Sequence, residues 1–473
     1  MKNKKSTKKK KTTSKKKIPN KKTKSKKKTK GKSVKKESAK KTSKKDKEIK
    51  ETLNKIIDEI TPEEKLINNH EKEIKNFINK IEKRIKKLNI NAEVFLGGSF
   101  AKNTVVKKEK YDADIFIRFS KEYKNISKIT KKILKGIKKQ KVHGSRDYYR
   151  VRARKNFIIE VVPVLMINSP EEAENVTDLS YEHVNYINKK IKTKEILDEI
   201  KLAKSFCEAN KYYGAESYIN GFSGYALELL IIHYGSFLEF IKDMAKLKQG
   251  NQKLIIDIEK KYKNKNEIAF DLNQSKIQSP IILIDPTYKK RNSLAALSYE
   301  TFENFKKTCK DFLEAQNKEK IKYFKKHKTN LKKVKKQSKK QDLNFILLEA
   351  KTNKQSGDIA GTKLSKFYKH LREEISKYFE IYNKGFNYDM KHSSKFFFVL
   401  KPKKEIIFMG PPVGDKENVK KFKKQHENVL QKRGRFYALE KVTNNPQEFI
   451  KNWKKSNKRK LKEMSIKKLK VLE

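Results

Sequence analysis

Two aspartates at alternate positions open an apolar strand-like run, and a glycine-serine turn precedes them. Asp112 and Asp114 are separated by one residue, and the apolar run Ile115–Ile117 follows directly. Side chains at i and i+2 of a strand lie on the same face, so both carboxylates should point to one side. The upstream Gly98 and Ser99 would let backbone N–H groups approach a phosphate closely. The pattern therefore predicts a strand that presents acids beside a phosphate-binding turn.

A third acid lies inside another apolar run. Glu160 is flanked by Phe157–Ile159 and Val161–Pro163. Such an acid is costly to bury unless it is paired or coordinates a cation, and the alternative is an edge-strand glutamate that faces water. With Asp112 and Asp114 it predicts a site for two Mg²⁺ ions, which prefer oxygen ligands and serve nucleotidyl transfer. For the aspartate pair alone, the alternative is a solvated surface turn.

The charge of the chain favours a polyanionic partner. Its 473 residues carry a formal net charge of +64, and residues 1–50 contain 26 lysines against three acids. A soluble protein tolerates such charge best beside nucleic acid, although a lysine-biased genome would also produce it. Residues 1–48 have almost no apolar side chains, so we expect a disordered Lys-rich tail that either binds RNA or only keeps the chain soluble.

Arginine is scarce, with eleven in the chain, yet four of them fall within nine residues. The planar guanidinium fork suits phosphates, so these four are candidates for binding RNA or nucleotide phosphate. A solvated strand face is the alternative. The four residues are Arg146, Arg150, Arg152 and Arg154.

The remaining features favour a cytoplasmic protein. Cys207 and Cys309 are isolated and lack metal-ligand spacing, which is typical of buried thiols in a reducing compartment. No apolar run reaches the roughly 18 residues of a membrane span. The basic N-terminus lacks the apolar segment of a signal peptide. We therefore expect no membrane partner.

Alternating strand and helix patterns predict an α+β multidomain protein. Strands are expected at Ala92–Leu96, Asp114–Phe119 and Phe157–Val164, and one helix over Gly224–Phe240, capped by Ser223. The C-terminal part mixes strands with helices, as in an α+β module.

Taken together, these motifs make the chain similar to the archaeal-type (class I) CCA-adding enzymes, tRNA nucleotidyltransferases of the polymerase-beta superfamily. The resemblance extends from about residue 50 to about residue 450. It rests on the order of these stretches: Gly98–Thr104, Asp112–Phe116, Glu160–Pro163, Tyr213–Glu216, Gly221–Tyr225, Tyr234–Phe237, Asp285–Asn292, Gly410–Pro412 and Gly434–Tyr437.

The resemblance implies template-independent addition or repair of the 3′-terminal CCA of tRNA from CTP and ATP, with Mg²⁺ as cofactor. The partner would be the tRNA 3′ end and acceptor stem, and a homodimer is left open. The implied fold has a polymerase-beta-like nucleotidyltransferase head (49–180), a helical nucleotide-binding central domain (181–300) and α+β C-terminal RNA-binding modules (301–473) after the tail (1–48). The implied nucleotide-binding positions are Gly98, Ser99, Lys102, Ser180, His183, Lys204, Tyr213 and Arg291, the last selecting CTP or ATP.

Residue type alone leaves alternatives at these positions. His183 could be an ordinary helix histidine, Tyr213 a core aromatic and Arg291 an ion-pair partner. The chain also departs from the family, with Glu160 where aspartate is usual and Lys102 where arginine is usual. The rival functions are a poly(A)- or oligonucleotide-synthesising relative, and a catalytically silent RNA-binding protein on the same scaffold.

Overall fold

The computed structural model describes residues 30–473, apart from residues 145, 248–252, 327–328, 404 and 442–444. The chain divides into two compact units, residues 1–51 and 52–473. Residues 1–29 of the expected tail lie outside the described residues. The first helix, α1, is Lys30–Ile60. Helical backbone thus begins before the predicted boundary at residue 48, as the good helix propensity of Lys, Glu and Ala allows.

A five-stranded mixed sheet and three helices form the head of the second unit. Its elements are α2 (Glu64–Lys87), β1 (Ala92–Leu96), α3 (Gly98–Ala101), β2 (Tyr111–Phe119), α4 (Ile126–Ile133), β3 (Lys139–Val142), β4 (Tyr148–Arg154) and β5 (Phe157–Leu165). The strand order is β1-β2-β5-β4-β3. Strands β2 and β5 run parallel, and the other neighbours run antiparallel. The three predicted strands are confirmed, while lysines and arginines mask the alternation of β3 and β4 in the sequence.

The core of the head fixes the acid-bearing strands. Ile115, Ile117 and Phe119 of β2 have no exposed side-chain surface, and Val161 of β5 has none either. Helix α2 adds Ile81 to the same apolar cluster. A slip of one residue in a strand would turn these side chains to solvent, so burial locks the register of β2 against β5.

Helices dominate the middle of the chain. Its elements are α5 (Ser180–Lys190), α6 (Lys194–Ala209), α7 (Gly224–Tyr234), α8 (Phe237–Lys246), β6 (Leu254–Ile256), α9 (Lys265–Asp271), β7 (Ile281–Leu283) and α10 (Tyr299–Glu314). Strands β6 and β7 pair in parallel. Short 3₁₀ helices lie at Pro170–Glu172, Val176–Leu179 and Asn317–Phe324.

The single helix predicted over Gly224–Phe240 is wrong in one respect, because it is broken. Helices α7 and α8 meet at 92°. Gly235 ends α7 in the left-handed region (φ 75°), and Ser236 accepts a hydrogen bond from the backbone of Glu239 to begin α8. The predicted cap at Ser223 is confirmed, since its hydroxyl accepts from the Ala226 N–H at 3.1 Å.

Two antiparallel sheets organise the C-terminal part. Its elements are α11 (Leu331–Lys340), β8 (Asn344–Thr352), α12 (Asp358–Tyr378), β9 (Phe379–Tyr388), β10 (Ser393–Pro402), β11 (Glu405–Pro412), α13 (Lys416–Gln425), β12 (Val429–Lys432), β13 (Arg435–Lys441), α14 (Pro446–Ser456), α15 (Lys458–Glu463) and β14 (Ile466–Val471). The strand orders are β14-β8-β10-β9 and β11-β13-β12. The predicted α+β character of this part is confirmed.

Within the described ranges, no single helix is long and apolar enough to cross a membrane. The bent pair α7 and α8 passes that test of length and composition only when its two members are taken together.

Candidate active site

The parallel pairing of β2 with β5 brings the three predicted acids together at one face of the sheet. Asp114 lies directly opposite Glu160 in the register. Neighbouring strands are about 4.8 Å apart, so these two side chains are adjacent. Asp112 lies two residues before Asp114 on the same face. Asp112 is exposed, whereas Asp114 and Glu160 are half-buried. The structure therefore places the three acids on one face of the sheet, with Asp114 directly beside Glu160.

The concentration of negative charge alters the titration of these acids. Burial, together with the carboxylates of Glu160 and Asp112, raises the pKa of Asp114 to about 7. Burial also raises the pKa of Glu160, although Arg150 opposes that shift. Each carboxylate disfavours ionisation of its neighbour, so a cation that entered this face would relieve repulsion.

Each of the two outer acids has a basic partner. The Lys108 ammonium lies 2.6 Å from the Asp112 carboxylate. The Arg150 Nε donates to Glu160 at 2.7 Å, and its Nη2 donates to the Tyr148 hydroxyl at 3.1 Å. These contacts orient the Asp112 carboxylate toward Lys108 and the Glu160 carboxylate toward Arg150.

The arrangement differs from the predicted two-metal cage in one respect. In the part of the chain that the structure describes, no three His, Cys, Asp or Glu side chains are grouped so that they could share a metal ion. The donors still fit a divalent cation in kind, because all three are carboxylates and hard cations prefer oxygen. Before Asp112 and Glu160 could bind a cation, they would have to break their ion pairs with Lys108 and Arg150. Metal binding by these acids stays a prediction.

The glycine-serine turn packs directly against the central acid. The Gly97 N–H donates to the Asp114 carbonyl at 2.8 Å. Gly98 has φ +61°, and a Cβ there would lie 1.9 Å from Asp114 Oδ2. Ser99 is half-buried in the short helix α3. Only glycine fits at position 98, because a side chain would displace the carboxylate.

Two predicted nucleotide-binding lysines lie around a buried glutamate. The ammonium groups of Lys102 and Lys204 are each 2.6 Å from the carboxylate of Glu228, which has no exposed surface. Thr104 donates to the same carboxylate at 3.3 Å. Burial lowers the pKa of Lys204 to about 8, although Glu228 opposes this shift. The cluster joins the head to helices α6 and α7, and nucleotide binding by the two lysines stays a prediction.

Glu228 is a residue that the sequence analysis missed. It lies in the apolar helix α7. The available signal was the same as for Glu160, an acid surrounded by apolar residues that needs a partner.

A second polar cluster surrounds Asp285. His183 Nε2 lies 3.0 Å from its carboxylate, the Tyr225 hydroxyl donates at 2.9 Å, and Arg291 donates at 2.5 Å. The His183 and Tyr225 rings stack at 4.0 Å. Although burial opposes ionisation, His183 and Arg291 lower the pKa of Asp285. The structure thus brings His183 and Arg291 together around Asp285, with Tyr225 as a fourth member of the cluster. Nucleotide binding by His183 and Arg291 stays a prediction.

Ser180 and Tyr213 are two other predicted nucleotide-binding positions. Ser180 begins α5 and is half-buried. The Tyr213 hydroxyl lies against Gly224, where a Cβ would come within 2.7 Å of it. Burial raises the pKa of Tyr213. Nucleotide contact by either residue stays a prediction.

The four clustered arginines differ in their partners. Arg146 donates to the buried Asp178, with Nη2 to Oδ2 at 3.2 Å. Arg154 pairs with Glu73 at 2.6 Å. Arg152 is exposed, and Arg150 alone among the four donates to one of the three acids. Carboxylates thus engage three of these arginines, and binding of RNA or nucleotide phosphate by the four stays a prediction.

Known proteins match this chain in the same regions. The family described as "Nucleotidyltransferase domain" matches residues 78–198, and "tRNA nucleotidyltransferase, second domain" matches residues 198–325. A CCA-adding enzyme from Nanoarchaeum equitans is 45% identical over 44% of this chain and 52% of that protein, so the match spans about half of that relative. One from Methanocaldococcus jannaschii is 28% identical over 81% of this chain and 85% of that protein.

Among solved structures, a cytoplasmic RNA terminal U-transferase is similar, with 12% identity and a TM-score of 0.43 over 60% of this chain and 99% of that chain. The two family matches are adjacent and cover the head and the helices that follow it. The match to the Methanocaldococcus relative extends over most of both chains. The chain therefore carries a nucleotidyltransferase domain followed by a tRNA nucleotidyltransferase second domain, and it is similar to archaeal CCA-adding enzymes over most of its length.

Proposed function

We propose that this protein adds or repairs the 3′-terminal CCA of tRNA from CTP and ATP without a nucleic-acid template. One observation carries the proposal: the β2–β5 pairing sets Asp114 beside Glu160 in a chain whose relatives are CCA-adding enzymes. In the reaction, the 3′-hydroxyl oxygen of the RNA would bond to the α-phosphorus of the nucleotide. The bond to the β-phosphate would break, pyrophosphate would leave with the electron pair, and the proton of the attacking hydroxyl would pass to water.

The acids would serve this reaction as ligands. Asp112, Asp114 and Glu160 would hold divalent cations, Mg²⁺ in our proposal, which lower the pKa of the attacking hydroxyl and neutralise phosphate charge. Gly98 and Ser99 would present the turn to the triphosphate. The packing of Gly98 on Asp114 would keep that turn and the acids at a fixed separation.

The Asp285 cluster would orient the nucleotide base. Arg291 would read a base edge with its planar fork, as guanidinium groups do. Asp285 would hold that fork in place, and His183 and Tyr225 support the same carboxylate. Ser180 and Tyr213 would complete the nucleotide contacts.

The charge supports an RNA partner and the thiols support a cytoplasmic location. A net charge of +64 favours a long polyanion such as tRNA. Cys207 and Cys309 are both free and buried, as in a reducing compartment. Size-exclusion chromatography with light scattering tests the homodimer that the resemblance leaves open.

A tRNA-extension assay with each nucleotide supplied separately tests the function. The substrate is a tRNA that ends at its discriminator base. We expect CTP alone to extend it by two residues, and CTP with ATP to extend it by three and then stop. An unbounded tail would instead support the polymerase alternative, and no incorporation would support the silent RNA-binding protein.

The variant Asp114→Asn separates catalysis from binding. We expect unchanged affinity for tRNA, measured by filter binding, and incorporation reduced at least about a thousandfold, because a missing charged metal ligand removes several kcal/mol of transition-state stabilisation. Incorporation at the wild-type rate would exclude the proposed role of Asp114.

A further inference from the structure

Two basic side chains form ion pairs with Asp112 and Glu160, the two acids that lie on either side of Asp114 in the candidate metal site. Arg150 and Glu160 are 2.7 Å apart, and their side chains are 39% and 20% exposed. Lys108 and Asp112 are 2.6 Å apart, with 23% and 50% exposed. Both pairs are therefore accessible to small ions from solvent.

The backbone brings the members of each pair close together. Strand register does so for Arg150 and Glu160, and a spacing of four residues does so for Lys108 and Asp112. Arg150 lies directly opposite Glu160 in the antiparallel register of β4 and β5. Arg150 Nη2 donates to the Tyr148 hydroxyl at 3.1 Å, and the Arg150 guanidinium lies 5.6 Å from the centre of the Tyr148 ring. Lys108 lies four residues before Asp112, in the loop that leads into β2.

We propose that Arg150 and Lys108 are built-in counter-ions, which neutralise Glu160 and Asp112 when no divalent cation is bound and give way when one binds. The proposal rests on the proposed function only in taking the three acids as metal ligands. The cation it concerns is a divalent metal ion with oxygen ligands.

A purely structural role makes the opposite prediction. If Arg150 only held the Glu160 side chain in its metal-binding position, its removal would weaken metal affinity. A counter-ion competes with the metal and repels it, so its removal should tighten metal affinity. The sign of the change in the dissociation constant therefore decides between the two roles.

The experiment measures Mn²⁺ binding to the full chain without nucleotide, by the electron paramagnetic resonance of free Mn²⁺. We expect Arg150→Gln and Lys108→Met each to lower the dissociation constant by about three- to tenfold, since partly exposed ion pairs are worth up to about one factor of ten. Arg150→Lys keeps the charge and should bind Mn²⁺ as the wild type does. Dissociation constants that are unchanged or higher in both charge-removing variants would overturn the proposal.

Matched controls exclude general effects of charge. Arg152→Gln removes the same charge from the same strand, at an exposed position, and should leave Mn²⁺ affinity unchanged. Asp114→Asn should weaken Mn²⁺ binding, which shows that the measured ion occupies this site. A similar gain in Arg152→Gln would attribute the effect to net charge and count against a specific role of Arg150.

Thermal unfolding supplies a second measurement. Without Mn²⁺, Arg150→Gln should have a lower Tm than the wild type, because the acids then repel each other uncompensated. At saturating Mn²⁺ the two Tm values should converge, whereas a packing defect would persist. If Arg150→Gln fails to fold, Lys108→Met in the partly exposed loop decides the question alone. Wild-type tRNA extension with unshifted Mn²⁺ affinities would reject the counter-ions and leave the proposed function intact, while shifted affinities without extension would reject the function and keep the counter-ions.

Discussion

Glu228 shows how single buried charges determine the behaviour of this protein. Its carboxylate has no exposed surface and accepts from Lys102 and Lys204. A buried carboxylate with two partners is tolerated, whereas two buried ammonium groups without their anion are not. The interior between head and helices is thus held by a network that fails when its single anion is neutralised.

We expect Glu228→Gln to lower the free energy of unfolding by about 3–5 kcal/mol, measured by urea denaturation at pH 7. The control Glu239→Gln removes a carboxylate that is 57% exposed and pairs with Lys242. Exposed pairs contribute little, so this control should unfold as the wild type does. Equal losses in the two variants would contradict a special role of the buried network.

Ionisation of Glu228 should make the free energy of unfolding depend on pH. Although burial opposes ionisation, Lys102 and Lys204 lower the pKa of Glu228 below 4.5. The unfolded chain then binds the proton more readily, so this contribution is present above pH 4.5 and is lost as the pH falls through the lowered value. Urea titrations between pH 3 and pH 7 should show a smaller acid-side loss in Glu228→Gln than in the wild type. Parallel curves for the two proteins would contradict the assignment.

Gly98 provides a second residue-level prediction. Gly98→Ala would place a Cβ 1.9 Å from Asp114 Oδ2. Gly136 also has a positive φ (+75°) but nothing within 4 Å of its Cβ position, so Gly136→Ala shares the backbone strain without the clash. We expect both variants to lose about 1 kcal/mol of stability from strain. Only Gly98→Ala should also lose Mn²⁺ affinity and tRNA extension. Normal extension by Gly98→Ala would show that Asp114 can move without harm.

At the level of elements, the turn between α7 and α8 decides the shape of the central part. A continuous helix is what apolar content and helical propensity favour over Gly224–Phe240. The left-handed Gly235 and the Ser236 cap end one helix and begin another at 92°. The bend lets both helices bury apolar faces, with Leu230 and Phe240 fully buried. Local capping and tertiary burial together override the propensity of the segment.

Ser236→Ala tests the importance of this cap. The Ser236 hydroxyl accepts from the Glu239 N–H at 3.2 Å, and its loss should lower the free energy of unfolding by about 1 kcal/mol. Ser376→Ala is the control, because Ser376 is exposed inside α12 and its hydroxyl donates to the Glu373 carbonyl of the same helix. Chemical denaturation should show no loss there, since alanine favours a helix interior. A loss of the same size in Ser376→Ala would indicate that the cap is unimportant.

At the scale of the whole molecule, charge sets the response to salt. The net charge of +64 should make tRNA affinity fall steeply as salt rises, because bound lysines release counterions from the RNA. Residues 1–29 contribute 16 lysines and no acids to that total.

Deletion of residues 1–29 distinguishes an RNA-binding tail from a solubilising one. We expect weaker tRNA binding at low salt and a shallower dependence of the logarithm of affinity on the logarithm of salt concentration. Extension at saturating tRNA should be unchanged, because the deletion does not touch the acids. Fluorescence anisotropy between 50 and 300 mM KCl measures the slope. An identical slope, with lower solubility of the shortened chain, would indicate that the tail only solubilises.

The local sequence pattern was sufficient to predict those elements whose signal comes from residues adjacent in the chain. Alternation and apolar runs predicted β1, β2 and β5, and the spacing of Asp112 and Asp114 predicted a shared face. Polar strands such as β3 gave no such signal, since their register depends on neighbours distant in the sequence. The apolar setting of Glu160 indicated a needed partner but not that the partner would be Arg150.

Sequence alone was enough to predict strands β1, β2 and β5, the turn at Gly98, the family that the chain resembles and the sign of its charge. These properties depend on neighbours along the chain and on composition. The partners of the following charges depend on the tertiary structure: Arg150 for Glu160, Asp178 for Arg146, and Glu228 for two lysines. Ion pairs act over a few ångströms in space, whereas Lys102 and Glu228 are 126 positions apart in the sequence, so no local pattern specifies such a pair.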